Sequence, residues 1–305
     1  MISSAARRAL EAALGEGVRF DVPLARHTSL RIGGPADAFA APADRDELAR
    51  VLALCARHGV PHTVLGNGFN TLVLDGGIDG LVLSLSRFRG LEELPGPRLR
   101  AEAGVSHATI TRRCIERGLA GLEFGAGIPG TMGGWTAMNA GIHEREVKDA
   151  VVEAEVMRGD GSALETLSAA ALEFRYRAAA GLPPGAVVVS TLFALRASTR
   201  EAVSAEVERH LSRRTATQPL DIPSCGSVFK NPTGDFAGRL IEAAGLKGAR
   251  VGGAEISTVH ANFIVNRGGA KAADVVALVE LARGRVRDAT GVLLDPEVRI
   301  VGRKA

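Results

Sequence analysis

Two glycine loops are the segments whose residue types and spacing could hold a ligand in this chain. The loops are Gly66-Asn67-Gly68-Phe69-Asn70 and the run from Gly125 to Gly141, which holds six glycines. Without a Cβ, glycine lets the backbone come close to a ligand, and successive N–H groups form nests for phosphate oxygens. Either loop alone would read as an ordinary turn, whereas two together favour a diphosphate ligand. Gly125-Ala126-Gly127-Ile128-Pro129-Gly130 also spells the dinucleotide fingerprint G-x-G-x-x-G. Its context argues against that reading. Glu123-Phe124 precedes it instead of an apolar strand, and Pro129 stands where a helix should begin. Thr131-Met132-Gly133-Gly134 is too glycine-rich to propagate a helix.

Residue type gives Arg177, Ser227 and Glu297 no catalytic role. By type alone each has a plain explanation: a surface charge, a turn residue and an exposed strand-end carboxylate. A guanidinium offers a fixed two-pronged donor to a carboxylate. A serine hydroxyl is ordinarily too weak an acid for general acid catalysis. No metal site is expected, because the seven histidines lack ligand spacing to cysteines or carboxylates.

The elements that must position these residues are legible in outline. An alanine-rich helix spans Ser4–Leu14 and stops at Gly15. Asp44 and Glu47 form a capping box for a helix with Leu48, Val51, Leu52 and Cys55 on one face, ended by Gly59. Strands are expected at 62–65, 71–74, 81–85 and 99–103, and Ser106 caps a helix ending near Gly118. Further strands are 151–157, with a Gly159-Asp160-Gly161 turn, and 186–195. Thr199 caps a helix carrying Val203, Val207 and Leu211. A polar loop runs over 215–231, followed by a helix at 235–244, a strand at 262–266, a helix at 272–286 and a strand at 297–301. Strands and helices mix without strict alternation, so the fold class is α+β, in more than one domain for 305 residues.

Composition excludes several functions. Hydrophobic residues make up 46% and charged residues 23%, as in a globular chain. The net charge of +3 is spread along the sequence, with one Trp and one Tyr, so no nucleic-acid partner is expected. No apolar run approaches a membrane span, and the N-terminus carries no apolar signal segment. Three widely spaced cysteines suit a reducing compartment, which points to the cytoplasm. No obligate protein partner is inferred.

With these segments in view, the chain resembles the UDP-N-acetylenolpyruvoylglucosamine reductases. They belong to the flavoprotein superfamily that includes vanillyl-alcohol oxidase and p-cresol methylhydroxylase. The similar segments are Thr28–Ala36, Gly66–Leu72, Gly125–Gly141, Cys225–Pro232, His260–Asn266 and Asp295–Arg299, in order over nearly the whole chain. The resemblance implies a two-part FAD-binding domain of the PCMH/VAO type plus a C-terminal α+β substrate-binding domain. Its expected boundaries are 1–85 joined by the strand 295–305, then 86–197, then 198–294. FAD would be held by Gly66, Asn67, Gly68, Asn70, Pro129, Gly130, Thr131, Gly133, Gly134, Asn139 and Gly141. Its attachment would be non-covalent, since neither glycine loop carries a His or Cys tether.

The implied reaction takes hydride from NADPH by way of FAD to C3 of the enolpyruvyl ether of a UDP-sugar, while C2 takes a proton. Ser227 would be the acid, and Arg177 and Glu297 would flank the substrate carboxylate. Aligning on Tyr-Arg selects Arg177, although Arg175 stands two residues away. Lys230 and Asn231 would contact phosphate and sugar. His260 and Asn262 match a family motif, although a histidine beside an apolar strand reads as structural.

The chain departs from the family pattern at Phe69, which replaces a serine and removes a hydroxyl from the first nest. Ile142-His143-Glu144 and the bulky Trp135 depart from it too. The spacing of Arg177 and Ser227 implies the shorter of the family's two architectures, without a tyrosine-bearing lid. Two other readings stay open. One is another flavin oxidoreductase of the superfamily acting on a sugar or hydroxy acid, and the other is a non-catalytic flavin-binding module.

Overall fold

Several helices in the computed structural model, which describes residues 2–142 and 145–305, begin where a side chain can take the first free amide. Ser3 accepts the Ala6 N–H ahead of the helix Ser4–Leu14, and Ser106 accepts that of Thr109 ahead of His107–Arg117. Asp44 accepts the Glu47 N–H ahead of Arg45–Arg57. The expected box closes one residue early, because the Glu47 carboxylate takes the N–H of Ala43.

The chain divides into two compact units, each with its own core. The first contains residues up to Phe20, Ala38–Gly66 and Gly80–Arg213. Its centre is a five-stranded antiparallel sheet in the order Leu164–Ser168, Val151–Met157, Val187–Ala194, Arg98–Glu102, Leu91–Leu94. Val187–Ala194 lies in the middle and is buried on both faces. Val187 and Val189 face a cluster with Leu10, Leu48, Leu52, Leu81 and Leu83, while Val188 faces one with Ile110, Phe124 and Trp135. That two-sided burial explains its continuous apolar sequence.

One helix differs from expectation. Arg200–Thr217 buries Val203, Val207 and His210, whereas Leu211 is exposed. It also continues through Thr215, where the polar loop was expected to begin.

The second unit contains Asp21–Asp37, Asn67–Asp79 and Arg214–Ala305. An antiparallel sheet runs Ser224–Ser227, Phe263–Asn266, Ala254–Ile256, Arg250–Val251. The helix Ala272–Thr290 shares a core with it, in which Val275, Leu278 and Val279 meet Phe229, Ile256 and Ile264. Asp75 caps this helix by taking the Ala272 and Ala273 N–H groups at 2.8 and 2.9 Å. Arg299–Val301 pairs in parallel with Thr71–Val73, so the last strand lies beside the segment that leaves the first glycine loop.

Candidate active site

The second glycine loop is anchored from beneath. A 3-10 turn, Glu123–Gly125, precedes it rather than a strand, so the dinucleotide fingerprint lacks its structural context. A short helix, Met132–Ala137, does form, against the expectation from its two glycines. Tertiary contacts outweigh propensity here. Met132, Trp135 and Thr136 are buried, and the Gly133 N–H donates to the Ala103 carbonyl at 3.0 Å. A Cβ at Gly133 would come within 2.7 Å of the Ala103 Cβ, so only glycine permits that approach. The Trp135 indole stacks on His107 with centroids 4.2 Å apart and donates to the Pro129 carbonyl at 3.3 Å.

Within the first unit the two loops meet at Thr131. A Cβ on Gly66 would lie 3.1 Å from the Thr131 hydroxyl oxygen, and one on Gly134 would lie 4.0 Å from it with nothing nearer. Among the described residues, the N–H groups of Gly66, Gly130, Thr131 and Gly134 have no protein acceptor. In the second unit the same holds for Asn67 and Gly68. Gly68 adopts φ +66°, and a Cβ there would fall 2.3 Å from the His27 carbonyl oxygen. Uncommitted amides at positions without side chains fit the pyrophosphate of FAD.

Not every expected flavin residue offers a free group. Asn139 is fully buried, and its Nδ2 donates to Glu146 and to the Arg175 carbonyl, both at 2.9 Å. Its Oδ1 accepts the Lys148 N–H at 3.2 Å. Gly141 permits a tight hairpin, since a Cβ would lie 2.4 Å from the Arg145 carbonyl oxygen. The Asn70 amide donates to the Glu297 carbonyl at 3.1 Å. Residues 143 and 144 of the family departure lie outside the described residues.

Arg177 sits in a two-residue turn, since Arg175 pairs with Ala178 across the hairpin Phe174–Arg175, Ala178–Ala179. Its φ is +58°, a left-handed conformation that costs a non-glycine residue about 1 kcal/mol. The side chain is 16% exposed, with Nη1 3.8 Å from Glu146 Oε1. Nη2 donates to the Gly141 carbonyl at 3.0 Å, and the guanidinium lies 4.8 Å from the Tyr176 ring centroid. Arg175 is 73% exposed and faces Glu173 at 3.6 Å. Of the two arginines, Arg177 is the one the fold immobilises.

Ser227 and Glu297 come together in the second unit through backbone pairing. Gly226 takes φ +78° at a bulge in the strand Ser224–Ser227. Past it, the Val228 carbonyl accepts the Glu297 N–H at 2.8 Å, and the Lys230 N–H donates to the Asp295 carbonyl at 2.9 Å. Asn262 secures this segment, its side-chain amide mimicking a strand partner to Phe229 N–H and C=O at 2.9 and 2.8 Å. His260 accepts the Asn262 N–H, and burial, aided by Lys247, holds its pKa below the ordinary histidine value. Both residues thus help to hold this segment. Lys230 Nζ lies 2.6 Å from Asp295 Oδ2, and Asn231 Oδ1 accepts the Ala237 N–H at 3.1 Å.

Other residues of interest carried no sequence signal. Arg214 Nε and Gln218 Oε1 are buried without a hydrogen-bond partner among the described residues. Burial pulls the Arg214 pKa down to about 10. Arg213-Arg214 reads in sequence as a solvated helix face. Cys225, two residues from Ser227, is buried, which pushes its pKa up to about 12 and keeps it a thiol. Among the described residues no helix is long and apolar enough to cross a membrane, and no cluster of His, Cys, Asp and Glu could hold a metal.

Comparisons with known proteins identify the family. Residues 36–167 match the family model of an FAD binding domain. Residues 218–301 match that of the UDP-N-acetylenolpyruvoylglucosamine reductase C-terminal domain. The UDP-N-acetylenolpyruvoylglucosamine reductase of Geobacter metallireducens is 48% identical over 288 residues, 94% of this chain and 95% of that one. The crystal structure of the Thermus caldophilus reductase superposes with a TM-score of 0.80 at 36% identity, covering 93% of this chain and 98% of that one. A glucose dehydrogenase, Phl p 4.0202, matches at 12% identity with a TM-score of 0.52 over 72% of this chain and 51% of its own, which shows a shared fold alone. The fold is thus the PCMH/VAO-type FAD-binding fold with an added C-terminal domain, and the chain belongs to the UDP-N-acetylenolpyruvoylglucosamine reductase family.

Proposed function

We propose that this protein is a UDP-N-acetylmuramate dehydrogenase, reducing the enolpyruvyl ether of UDP-N-acetylglucosamine to the lactyl ether of UDP-N-acetylmuramate, a peptidoglycan precursor, with NADPH. The observation that carries the reading is family membership over 94% of the chain. It is supported by uncommitted amides at Gly66, Gly130, Thr131 and Gly134, all within the first unit, suited to a dinucleotide pyrophosphate. FAD, when bound, supplies the two-electron relay between NADPH and substrate.

The remaining chemistry belongs to the chain. Arg177 presents its guanidinium to the substrate carboxylate, where negative charge grows as C3 accepts hydride. Glu297 shares a proton with the second oxygen. Ser227 delivers a proton to C2, and the hydroxyl suffices because the carbon is strongly basic. Lys230, Asn231 and the unsatisfied Nε of Arg214 meet diphosphate and sugar oxygens, since a buried lone donor favours an anionic acceptor. The domain reading follows the same division of labour: 1–85 with 295–305 and 86–197 hold FAD, and 198–294 binds substrate. NADPH and nucleotide sugars are intracellular metabolites, which assigns the enzyme to the cytoplasm.

Product analysis tests the reading. Purified protein with NADPH and the enolpyruvyl UDP-sugar should add two hydrogens to the sugar for each NADPH consumed. Peroxide formed from a sugar or hydroxy acid and oxygen, without NADPH, would support an oxidase instead. Bound flavin with no turnover of either kind would support a binding module.

A further inference from the structure

Ser227 stands on a chain segment held at two points. The strand Ser224–Ser227 ends its sheet, with Phe263–Asn266 as its neighbour there among the described residues. The Pro223 carbonyl accepts the Asn266 N–H at 2.9 Å, so antiparallel alternation turns the next carbonyl, that of Ser224, toward the open side. There the Ser29 hydroxyl donates to it at 2.7 Å. Beyond the bulge at Gly226, the Asn262 side chain holds the Phe229 N–H and C=O. Ser227 lies between these two holds.

Ser29 is itself fixed, and it is fixed to the first glycine loop. Its N–H donates to the Gly68 carbonyl at 3.1 Å, and its hydroxyl oxygen lies 3.0 Å from the same carbonyl. A hydroxyl has one hydrogen to give. The backbone N–H already serves Gly68, which leaves that hydrogen for the shorter contact to Ser224. On either side of Ser29 the chain is anchored as well. Leu30 and Ile32 are buried in one core with Cys225 and Val228, and Asn266 Nδ2 donates to the Leu30 carbonyl at 3.0 Å. All these residues belong to the second unit.

We propose that Ser29 is a positioning residue that sets the place of the Ser227 hydroxyl by anchoring the Ser224 carbonyl to the first glycine loop. This rests on the reading of Ser227 as the acid given above. Gly226 is the pliable link, with φ +78° and open space where a Cβ would stand. A chain hinged there holds Ser227 in place only if the residues before the hinge are held too. Without the Ser29 hydroxyl the strand keeps its ladder to Phe263–Asn266 but loses the hold on its open edge. Ser227 can then shift relative to Phe229.

The test is stopped flow on the FAD-loaded enzyme with Ser29→Ala, Ser29→Thr and Ser29→Val, and with Ser29→Ala combined with Ser227→Ala. Reduction by NADPH needs no proton from Ser227, so Ser29→Ala should be reduced at the wild-type rate. FAD should stay bound, because the residue 29 N–H still holds the Gly68 carbonyl. Reoxidation at saturating enolpyruvyl sugar should slow about 10–100-fold, the scale on which a displaced reacting group loses rate. Ser29→Thr keeps the hydroxyl and should recover most of that rate. Ser29→Val, of the same shape as Ser29→Thr without the hydroxyl, should not. In the Ser227→Ala background, Ser29→Ala should add little, because no hydroxyl is left to place. If Ser29→Ala does not fold, Ser29→Cys, a weaker donor, takes its place, with the same selective loss in reoxidation expected. Additive losses in the two backgrounds would overturn the proposal, as would loss of FAD, slowed reduction by NADPH, or full reoxidation by Ser29→Val. Reoxidation by Ser227→Ala at the wild-type rate would instead overturn the role of Ser227 itself.

Discussion

Replacing Arg177 with glycine separates structure from catalysis at a single position. The residue sits at φ +58°, so glycine removes a left-handed strain of about 1 kcal/mol. Against that, glycine adds freedom to the unfolded chain, about 0.5–1 kcal/mol. The charged hydrogen bond to Gly141 at 3.0 Å is lost, about 1.5 kcal/mol. Glu146 is not orphaned, because Lys148 at 2.7 Å and Asn139 at 2.9 Å remain. The sum is a net loss of roughly 1 kcal/mol, or a fall in Tm of about 3 °C. Catalysis should fare far worse, since removing a donor aimed at developing charge costs about 10²–10³-fold in kcat. Thermal melts and steady-state turnover of Arg177→Gly measure both quantities. Turnover above about a tenth of wild type would make Arg177 only a turn residue. A Tm loss beyond about 10 °C would refute the strain argument.

The other expectations concern separate parts of the chain. Gly133→Ala should destabilise the fold by about 1–3 kcal/mol, because its Cβ would press on that of Ala103 at 2.7 Å. Gly134→Ala meets nothing nearer than 4.0 Å, so the apoprotein melt should hold while FAD affinity, measured by fluorescence titration, falls. Ser227→Ala should be reduced by NADPH normally but reoxidise about 10²–10⁴-fold more slowly in stopped flow, with Ser227→Cys recovering part of the loss.

Glu255 is buried between Arg267 and Arg250, and its pKa lies below the ordinary carboxylate value, the Arg267 hydrogen bond prevailing over burial. A depressed pKa makes this contribution complete above the unfolded value of about 4.3 and lost as pH falls toward the lower folded one. Melts of Glu255→Gln from pH 7 to 3 should therefore show a shallower acid slope than wild type.

Much of the fold is legible because local signals and tertiary demands agree. Ser3, Asp44, Ser106 and Thr199 mark helix starts, and the apolar run around Val187–Ala194 marks a strand covered on both faces. Elsewhere tertiary packing prevailed over propensity. Met132–Ala137 is helical despite two glycines, because Trp135 and Met132 bury it and Gly133 fits against Ala103. Pro35–Ala40 is a strand without β-branched residues, held by neighbours on both sides in its sheet. Ser224–Ser227, inside an apparent polar loop, is a strand because Phe263–Asn266 pairs with it.

The site follows the same rule. Motifs name Ser227, Arg177 and Glu297, but the pairing of Val228 with Glu297 and the ion pair of Arg177 with Glu146 join residues some 70 and 31 positions apart in sequence. Periodicity and spacing carry no information over such distances. Arg214 stayed hidden for a different reason: only burial without a partner distinguishes it from a surface arginine.

The most direct measurement is the anaerobic absorbance spectrum of the purified protein during one turnover. Flavin bands should be present, bleach on addition of one equivalent of NADPH, and return on addition of the enolpyruvyl UDP-sugar. Bands that bleach but do not return with that substrate would contradict the assigned reaction. A protein that binds no flavin would contradict the reading of the glycine loops as well.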